Sequence, residues 1–467
     1  MNSLKKIYVL FFLLGIFFIP FNEFDGVSFL GEYQNEAATY FFLFGFFLVC
    51  IDSFVEKKII LPVRSIYFKI ILLFLGWIFL SALLNYPSIS ESYFKQTAGI
   101  SRFFRQLISF LLSSVIFTVF FWNVIRIYPL KRIFSVIRAV MWWSLVFVFI
   151  YGFIEILIVV FGIYQLMPIL SAFDIFPFVN TKLDPGGRVS SISYEVPALG
   201  NYLIMVAPWM FSYILTSKQT YMRFLPVSMV LILMFFSGSR TALINVTIQL
   251  LIFLILLLRR RKIRVKIAKI LTYTSPVLLI LLIMNIGKIS EIITQKADSL
   301  NFSKNLTQSV SNKTRFGMQY ASLKVFIDHP VFGVGLGQET YHKRKHYPEW
   351  ATKDNFEFDL FFENEDVKSF PSGYNIYTRL LAETGVVGFM IFIGLISLAI
   401  FDSFFYYRAL RNSNRLIALT VFISLIGLSF NWLQTDFFRQ YGFWLMLAIL
   451  IKLKQQEKLG ITLYNKA

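Results

Sequence analysis

Apolar runs of roughly 17–25 residues, the length that crosses a bilayer as a helix, recur along the whole of this 467-residue chain. They fall near 6–21, 37–54, 67–85, 104–124, 134–163, 197–215, 224–237, 240–258, 267–286, 386–405, 415–432 and 438–452. A segment inside lipid must satisfy its own backbone hydrogen bonds, so the pattern predicts an all-α polytopic membrane protein of about twelve transmembrane helices. The run at 224–237 is short, and 134–163 is long enough to tilt or to include an interfacial turn. Composition agrees: 57% of the residues are hydrophobic, only 15% are charged, and the mean hydropathy is +0.66. Lys5 and Lys6 precede the first run as they would in a signal peptide. The run ends in Phe18-Ile19-Pro20-Phe21, with no small-residue cleavage site, so it is expected to be retained.

Charge orients the spans. The stretch 22–36 holds Glu23, Asp25, Glu32 and Glu36 and no Lys or Arg. The next link carries Lys57, Lys58 and Arg64, a later one Arg126, Lys131 and Arg132, and the sharpest is Arg259-Arg260-Arg261-Lys262-Ile263-Arg264. Basic and acidic-to-mixed links therefore alternate, and the net charge of +19 collects on one side. By the positive-inside rule both termini are expected in the cytoplasm, with residues 287–385 outside. Basicity here marks topology and lipid headgroups; nucleic-acid binding would need basic residues on one face of a soluble domain. Cys50, the single cysteine, sits in an apolar run and reads as a packing residue. No internal repeat or inverted hydropathy symmetry of the transporter kind is visible.

The chain divides into three segments: 1–286 with the first nine helices, 287–385 as a large extracytoplasmic loop, and 386–467 with the last three helices and a tail. The loop is the only long polar insert, and a membrane protein keeps one for work at the membrane surface. It contains Arg315, then Asp328-His329-Pro330-Val331-Phe332-Gly333-Val334-Gly335-Leu336-Gly337, then Asn375 to Gly385 with Arg379 and Glu383. Apolar residues from Arg315 to Ile327 are spaced as in a helix. The Gly333–Gly337 run would let backbone approach a ligand closely. It comes after Pro330 and lacks a Lys-Ser/Thr, so it is neither a Walker loop nor a dinucleotide fingerprint.

Further arginines interrupt the apolar pattern at the same side. Arg240 lies in Ser237-Gly238-Ser239-Arg240-Thr241-Ala242 between two runs, where a charge is expensive without a partner; the plain alternative is a snorkelling helix anchor. Arg188 precedes Glu195 in Gly187-Arg188-Val189-Ser190-Ser191-Ile192-Ser193-Tyr194-Glu195, and the two can simply pair. Arg102 and Arg105 share one face of a helix end. Guanidinium groups gathered at a membrane surface suit a diphosphate, to which each offers a fork of donors. His342-Lys343-Arg344-Lys345-His346 reads first as a solvated basic turn, and Glu363-Asn364-Glu365-Asp366 as a solvated acidic one.

In this order, the Arg240 block, Arg315 ahead of the His329–Gly337 block, and Asn375 to Gly388 with Glu383 and Gly385 resemble the O-antigen ligase/polymerase superfamily. The resemblance covers most of the chain in topology and a small part of it in motif. It implies a membrane glycosyltransferase of GT-C-like architecture that takes glycan from an undecaprenyl-diphosphate carrier, with no cofactor, nucleotide sugar or metal. Arg188, Arg240 and Arg315 would hold the diphosphate, and Arg102, Arg105, Tyr374, Asn375 and Arg379 are further candidate contacts. Ligases of the superfamily carry a His directly before the Asn of the last block, as the expected base for the acceptor hydroxyl. Here Tyr374 occupies that position, and a neutral Tyr is a poor base. Glu195 is the first candidate to replace it, a carboxylate beside an Arg at a semi-buried interface, with Glu383, His329, His342 and His346 behind it.

The missing His favours a polymerase that joins lipid-linked repeat units at the periplasmic face of a bacterial inner membrane, with lipids and a chain-length regulator as partners. A ligase that transfers glycan to lipid A-core is the nearer alternative. A lipid-linked oligosaccharide flippase is the other; it would want charges along a mid-membrane path, of which Glu155 is the one candidate.

Overall fold

The computed structural model describes residues 3–58, 60–176, 178–184, 186–258, 310–366, 370–411 and 413–464. The expected span at 267–286, the basic run 259–264 and the beginning of the polar insert lie outside the described residues. Twelve longer helices organise the rest: α1 (Ser3–Phe17), α2 (Ala37–Glu56), α3 (Ile66–Leu84), α4 (Gly99–Ile127), α5 (Leu130–Val159), α6 (Val196–Thr216), α7 (Thr220–Phe236), α8 (Arg240–Leu258), α9 (Val310–Asp328), α10 (Ile376–Ala409), α11 (Asn414–Asn431) and α12 (Tyr441–Tyr464). Eight of them, α2 to α6, α8, α10 and α11, are long and apolar enough to cross a membrane, and α7 is a shorter apolar helix. The chain is an all-α polytopic membrane protein. The described strands are one two-residue hairpin, β1 (Tyr93–Phe94) against β2 (Thr97–Ala98).

Which helices lie inside the bundle can be read from burial. The apolar windows of α4, α6 and α11 are 78%, 72% and 67% buried, and α12 is buried from Tyr441 to Leu450. The mean hydropathies of α6 and α11 are also the lowest of the eight, at 1.4 each. The reason is physical: a helix shielded from lipid can carry polar side chains that bond between helices, whereas a lipid-facing one cannot. Asn431 on α11 donates to Asn201 on α6 at 2.8 Å, and Gln249 on α8 donates to the Ile204 carbonyl at 3.0 Å. Leu111–Phe117 in α4 is a π-helical stretch, packed against α12 and α2.

The polar insert folds onto one end of this bundle. Its helix α9 runs where the spacing from Arg315 to Ile327 predicts one, and packs on α10. Met318, Ala351, Phe358 and Phe362 close a small separate core over it. One boundary differs from the expectation. The last block before the apolar run is not loop: α10 begins at Ile376 and passes through Thr384 before a break at Gly385 (φ 64°, ψ −174°). Asn375 caps it, accepting hydrogen bonds from the Tyr377 and Thr378 amides at 2.9 and 3.3 Å.

Candidate active site

The glycine-rich run works at the break in α10. Gly385 interrupts the helix ladder, and the released carbonyls of Ala382 and Glu383 accept from the Val334 and Gly335 amides at 3.0 and 2.9 Å. Val386 donates back to the Pro330 carbonyl at 2.8 Å. A Cβ at Gly333 would collide with the Glu383 backbone, and one at Gly385 with the Val331 carbonyl. Helix α3 and its C-cap residue hold the same crossing through Trp77 to the Thr384 carbonyl (2.8 Å), Ser81 to the Phe332 carbonyl (2.7 Å) and Asn85 to the Gly333 carbonyl (3.0 Å). The close approach that Gly333 and Gly385 permit is thus to the protein's own backbone. Glu383 is buried beneath this clasp and pairs with Arg379 at 3.1 Å. Arg379 also donates to the Asp436 carbonyl and to Gln106, both at 2.6 Å. Two cavities are bordered by other candidate residues, and Glu383 lines neither of them.

Three arginines converge on the smaller one. Arg240 is the first residue of α8, delivered by the turn Ser237-Gly238-Ser239, in which Gly238 is left-handed (φ 69°). A Cβ there would press on the Arg188 side chain at 3.3 Å, so the turn and Arg188 pack directly together. Arg315 faces them from α9. All three line one cavity of about 250 Å³, with Asn245 and Gln319 among the polar lining and Ile244, Ile248 and Phe430 among the apolar. Arg240 feels the positive charge of both Arg315 and Arg188. Arg188 is held by Asp184 through two bonds of 3.1 and 3.2 Å, so the pairing with Glu195 considered from the sequence does not form. Arg315 donates to Gln434 at 3.1 Å and stands 5.1 Å from the centre of the Tyr374 ring.

A larger cavity of about 890 Å³ shares a wall with this one: Pro197, Asn201, Ser311, Arg315, Gln434 and Thr435 border both. Its size is within the range of small-molecule and cofactor sites. Glu195 borders it from the N-cap position of α6, exposed, with Glu357 and Asp436 on the same lining. Asp436 accepts from the Ser372 hydroxyl at 2.9 Å and from the Gly373 amide. Deeper carboxylates are matched by cations. Glu36 pairs with Arg439 at 3.0 Å, and Glu32 accepts from Gln106 at 2.6 Å and Ser109 at 3.3 Å. Burial alone would raise the Glu32 carboxyl, but the charges of Arg102, Arg439 and Arg379 hold it below its usual value. Arg102 reaches the lining with its guanidinium 4.3 Å from the centre of the Phe370 ring. Tyr374 also borders the cavity, in a left-handed backbone conformation (φ 54°). Burial pushes its hydroxyl up to about 12 against the pull of Arg315, so it stays protonated at neutral pH.

Other candidates fall elsewhere. His329 is exposed at the end of α9, its amide bonded to the Val325 carbonyl at 3.0 Å, and it lines neither cavity. Its ring lies 5.5 Å from that of His342, which burial and the neighbouring His329, Lys345 and His346 push down to about 4. His346 contacts Asp328 at 3.0 Å. The three histidines thus form a patch away from both cavities. Arg105 is exposed and borders neither cavity, and Asn375 serves as the cap of α10. Glu365 pairs loosely with Arg344 at 3.6 Å.

Sequence reasoning passed over Glu357, Asp436, Arg439 and Gln434 as site residues, and used Glu32 and Glu36 only for topology. A signal existed: Gln434 and Asp436 crowd the short link between the last two apolar runs, and Arg439 interrupts the start of the second, where charge is costly.

Residues 225–393 match the family model described as O-antigen ligase. The match takes in Arg240, Arg315, the clasp and the Asn375–Gly388 block, while Arg188 and Glu195 lie ahead of it. No curated protein matches the chain. The chain therefore carries an O-antigen ligase family domain over residues 225–393, in support of the O-antigen ligase/polymerase superfamily that its motifs resemble.

Proposed function

We propose that this protein is a glycosyltransferase of GT-C-like architecture that polymerises undecaprenyl-diphosphate-linked oligosaccharide repeat units at the outer face of a bacterial cytoplasmic membrane. One observation carries the reading: three arginines line a small cavity that shares a wall, Arg315 included, with a larger one bordered by Glu195. The small cavity takes the diphosphate of the donor, whose oxygens match the guanidinium forks. The larger cavity takes the acceptor glycan. Glu195 accepts the proton of the acceptor hydroxyl, the hydroxyl oxygen bonds to the anomeric carbon, and the bond from that carbon to the phosphate oxygen breaks. The diphosphate leaves with the bonding electrons, its growing charge met by Arg188, Arg240 and Arg315. Displacement from the opposite side inverts the anomeric configuration. The donor brings its own leaving group, so no nucleotide sugar enters the scheme. The alternation of basic and acidic links supports cytoplasmic termini and a periplasmic site. A chain-length regulator is a further expected partner.

The ligase reading keeps its place because the matched family is described by that activity. It differs only in the acceptor, lipid A-core in place of a second repeat unit.

The test is the purified protein with undecaprenyl-diphosphate-linked repeat units, beside the Arg315→Ala variant, with products resolved on a gel. The expected result is a ladder from the wild type that the variant lacks. Transfer only when lipid A-core is supplied would make the protein a ligase. No product with either acceptor would overturn the transferase reading and leave the flippase.

A further inference from the structure

Glu155 lies within α5 and is completely buried. A carboxyl group there is costly unless its oxygens are satisfied. Both are. Oε1 accepts from the Ser190 amide at 3.1 Å and Oε2 from the Ser191 amide at 2.7 Å. These two amides belong to the segment that leads from Arg188 to Glu195. Ser191 is left-handed (φ 54°), a costly conformation for a residue with a side chain, and its hydroxyl donates to the Val148 carbonyl of α5 at 2.7 Å. Gly152 keeps the space close: a Cβ there would meet Leu233 at 2.7 Å and Ser191 at 3.3 Å. Two turns of α5, from Val148 to Glu155, therefore grip the segment two to three residues beyond Arg188.

The far end of the segment has its own attachments. Tyr194 donates its amide to Asn22 at 2.6 Å, Ser193 donates to the Pro20 carbonyl at 3.1 Å, and Glu195 already begins α6. Arg188 depends on less. Its guanidinium is half-exposed and bonded to Asp184, four residues earlier in the same loop, so that pair moves with the loop. The hydrogen-bonded anchor behind Arg188 is Glu155, with Val189 buried between them and the Gly238 turn packed on the Arg188 side chain.

We propose that Glu155 is a positioning residue for the donor site: through the Ser190 and Ser191 amides it holds Arg188 against Arg240 and Arg315, where the lipid diphosphate binds. This rests on the donor reading of the small cavity. It also gives the intramembrane acid a role other than ion or substrate translocation.

Binding is the readout, with undecaprenyl diphosphate as the probe and the protein in lipid nanodiscs. Glu155→Gln keeps the size but turns an NH₂ toward one of the two amides. It is expected to weaken binding about tenfold, on the scale of one buried hydrogen bond. Arg188→Ala should weaken it comparably, and the double variant should be no worse than Arg188→Ala, since Glu155 acts through that side chain. Losses that add in the double variant would make Glu155 a general support of the fold and overturn the inference. So would unchanged binding by Glu155→Gln. Should Glu155→Gln not fold, Glu155→Asp, which keeps the acid and shortens its reach, replaces it in the cycle: losses that do not add support the inference, and additive losses or unchanged binding overturn it. A wild type that does not bind undecaprenyl diphosphate would instead overturn the donor reading, and this inference with it.

Discussion

The two cavities differ in how their charges are arranged. Among the described residues the small one is bordered by three arginines and no carboxylate. The large one is bordered by Glu32, Glu36, Glu195, Glu357 and Asp436 together with Arg102, Arg315, Arg379 and Arg439. Several of these are already matched, as in Glu36 with Arg439. A mixed and largely paired lining is polar without demanding a charge from its occupant, which suits a hydroxyl-rich glycan. Cations of one sign brought together repel, and an anionic occupant relieves that repulsion. Arg315 belongs to both linings, and Glu195 faces the large cavity from the residue before Val196, which borders the small one. The chemistry is expected at that seam.

The largest effect should come from breaking the large cavity's one role in bond-making. Glu195→Gln removes the proposed proton acceptor and should lower the transfer rate by about 10²- to 10⁴-fold, with donor binding unchanged. Initial rates beside a donor-binding titration check this; equal loss of both would show Glu195 to be a binding group. Next, Arg315→Ala should cost about 10²- to 10³-fold in rate, as does removal of one preorganised donor from a charge-stabilising site. Arg315→Lys should recover only part of it, because an ammonium lacks the fork. Against these stands the clasp, which has no chemistry of its own. Gly385→Ala meets both a left-handed backbone and the Val331 carbonyl, and should cost at least about 1 kcal/mol of stability, seen as a lowered melting temperature. Tyr374→Phe should change the rate less than about threefold, since a hydroxyl pushed up to about 12 is no base at neutral pH. A large loss there would return Tyr374 to the catalytic centre. Arg105→Ala, off both linings, should leave rate and donor affinity as they are.

The architecture was legible in the sequence because lipid leaves few choices. Run length and composition give the spans, and eight described helices meet those requirements. The three diphosphate candidates were legible because an arginine at a membrane boundary is an expensive exception. What the sequence hid was partnership. Arg188 with Glu195, and Glu383 as a free acid, are sensible readings of spacing, yet Asp184 and Arg379 take those places. No local pattern marks Glu155 as the anchor of a loop more than thirty residues on. Gly333-Val334-Gly335-Leu336-Gly337 looked fit to approach a ligand because glycine tells only that something comes close, not what. In this fold Gly333 meets the broken turn of α10, and Gly337 meets α4 at Arg102 and Gln106.

That break has a practical side for anyone who would exchange the polar insert between relatives to change acceptor choice. The obvious cut, at the edge of the apolar run near residue 386, passes through the clasp, separating the Ala382 and Glu383 carbonyls from the frame of their own helix. A chimera that folds would have to carry the insert and α10 together as far as Gly388. It would also have to keep Trp77, Ser81 and Asn85 of the receiving α3 region compatible with the imported strap. The transplantable unit is thus defined by a backbone crossing and not by the edge of the membrane.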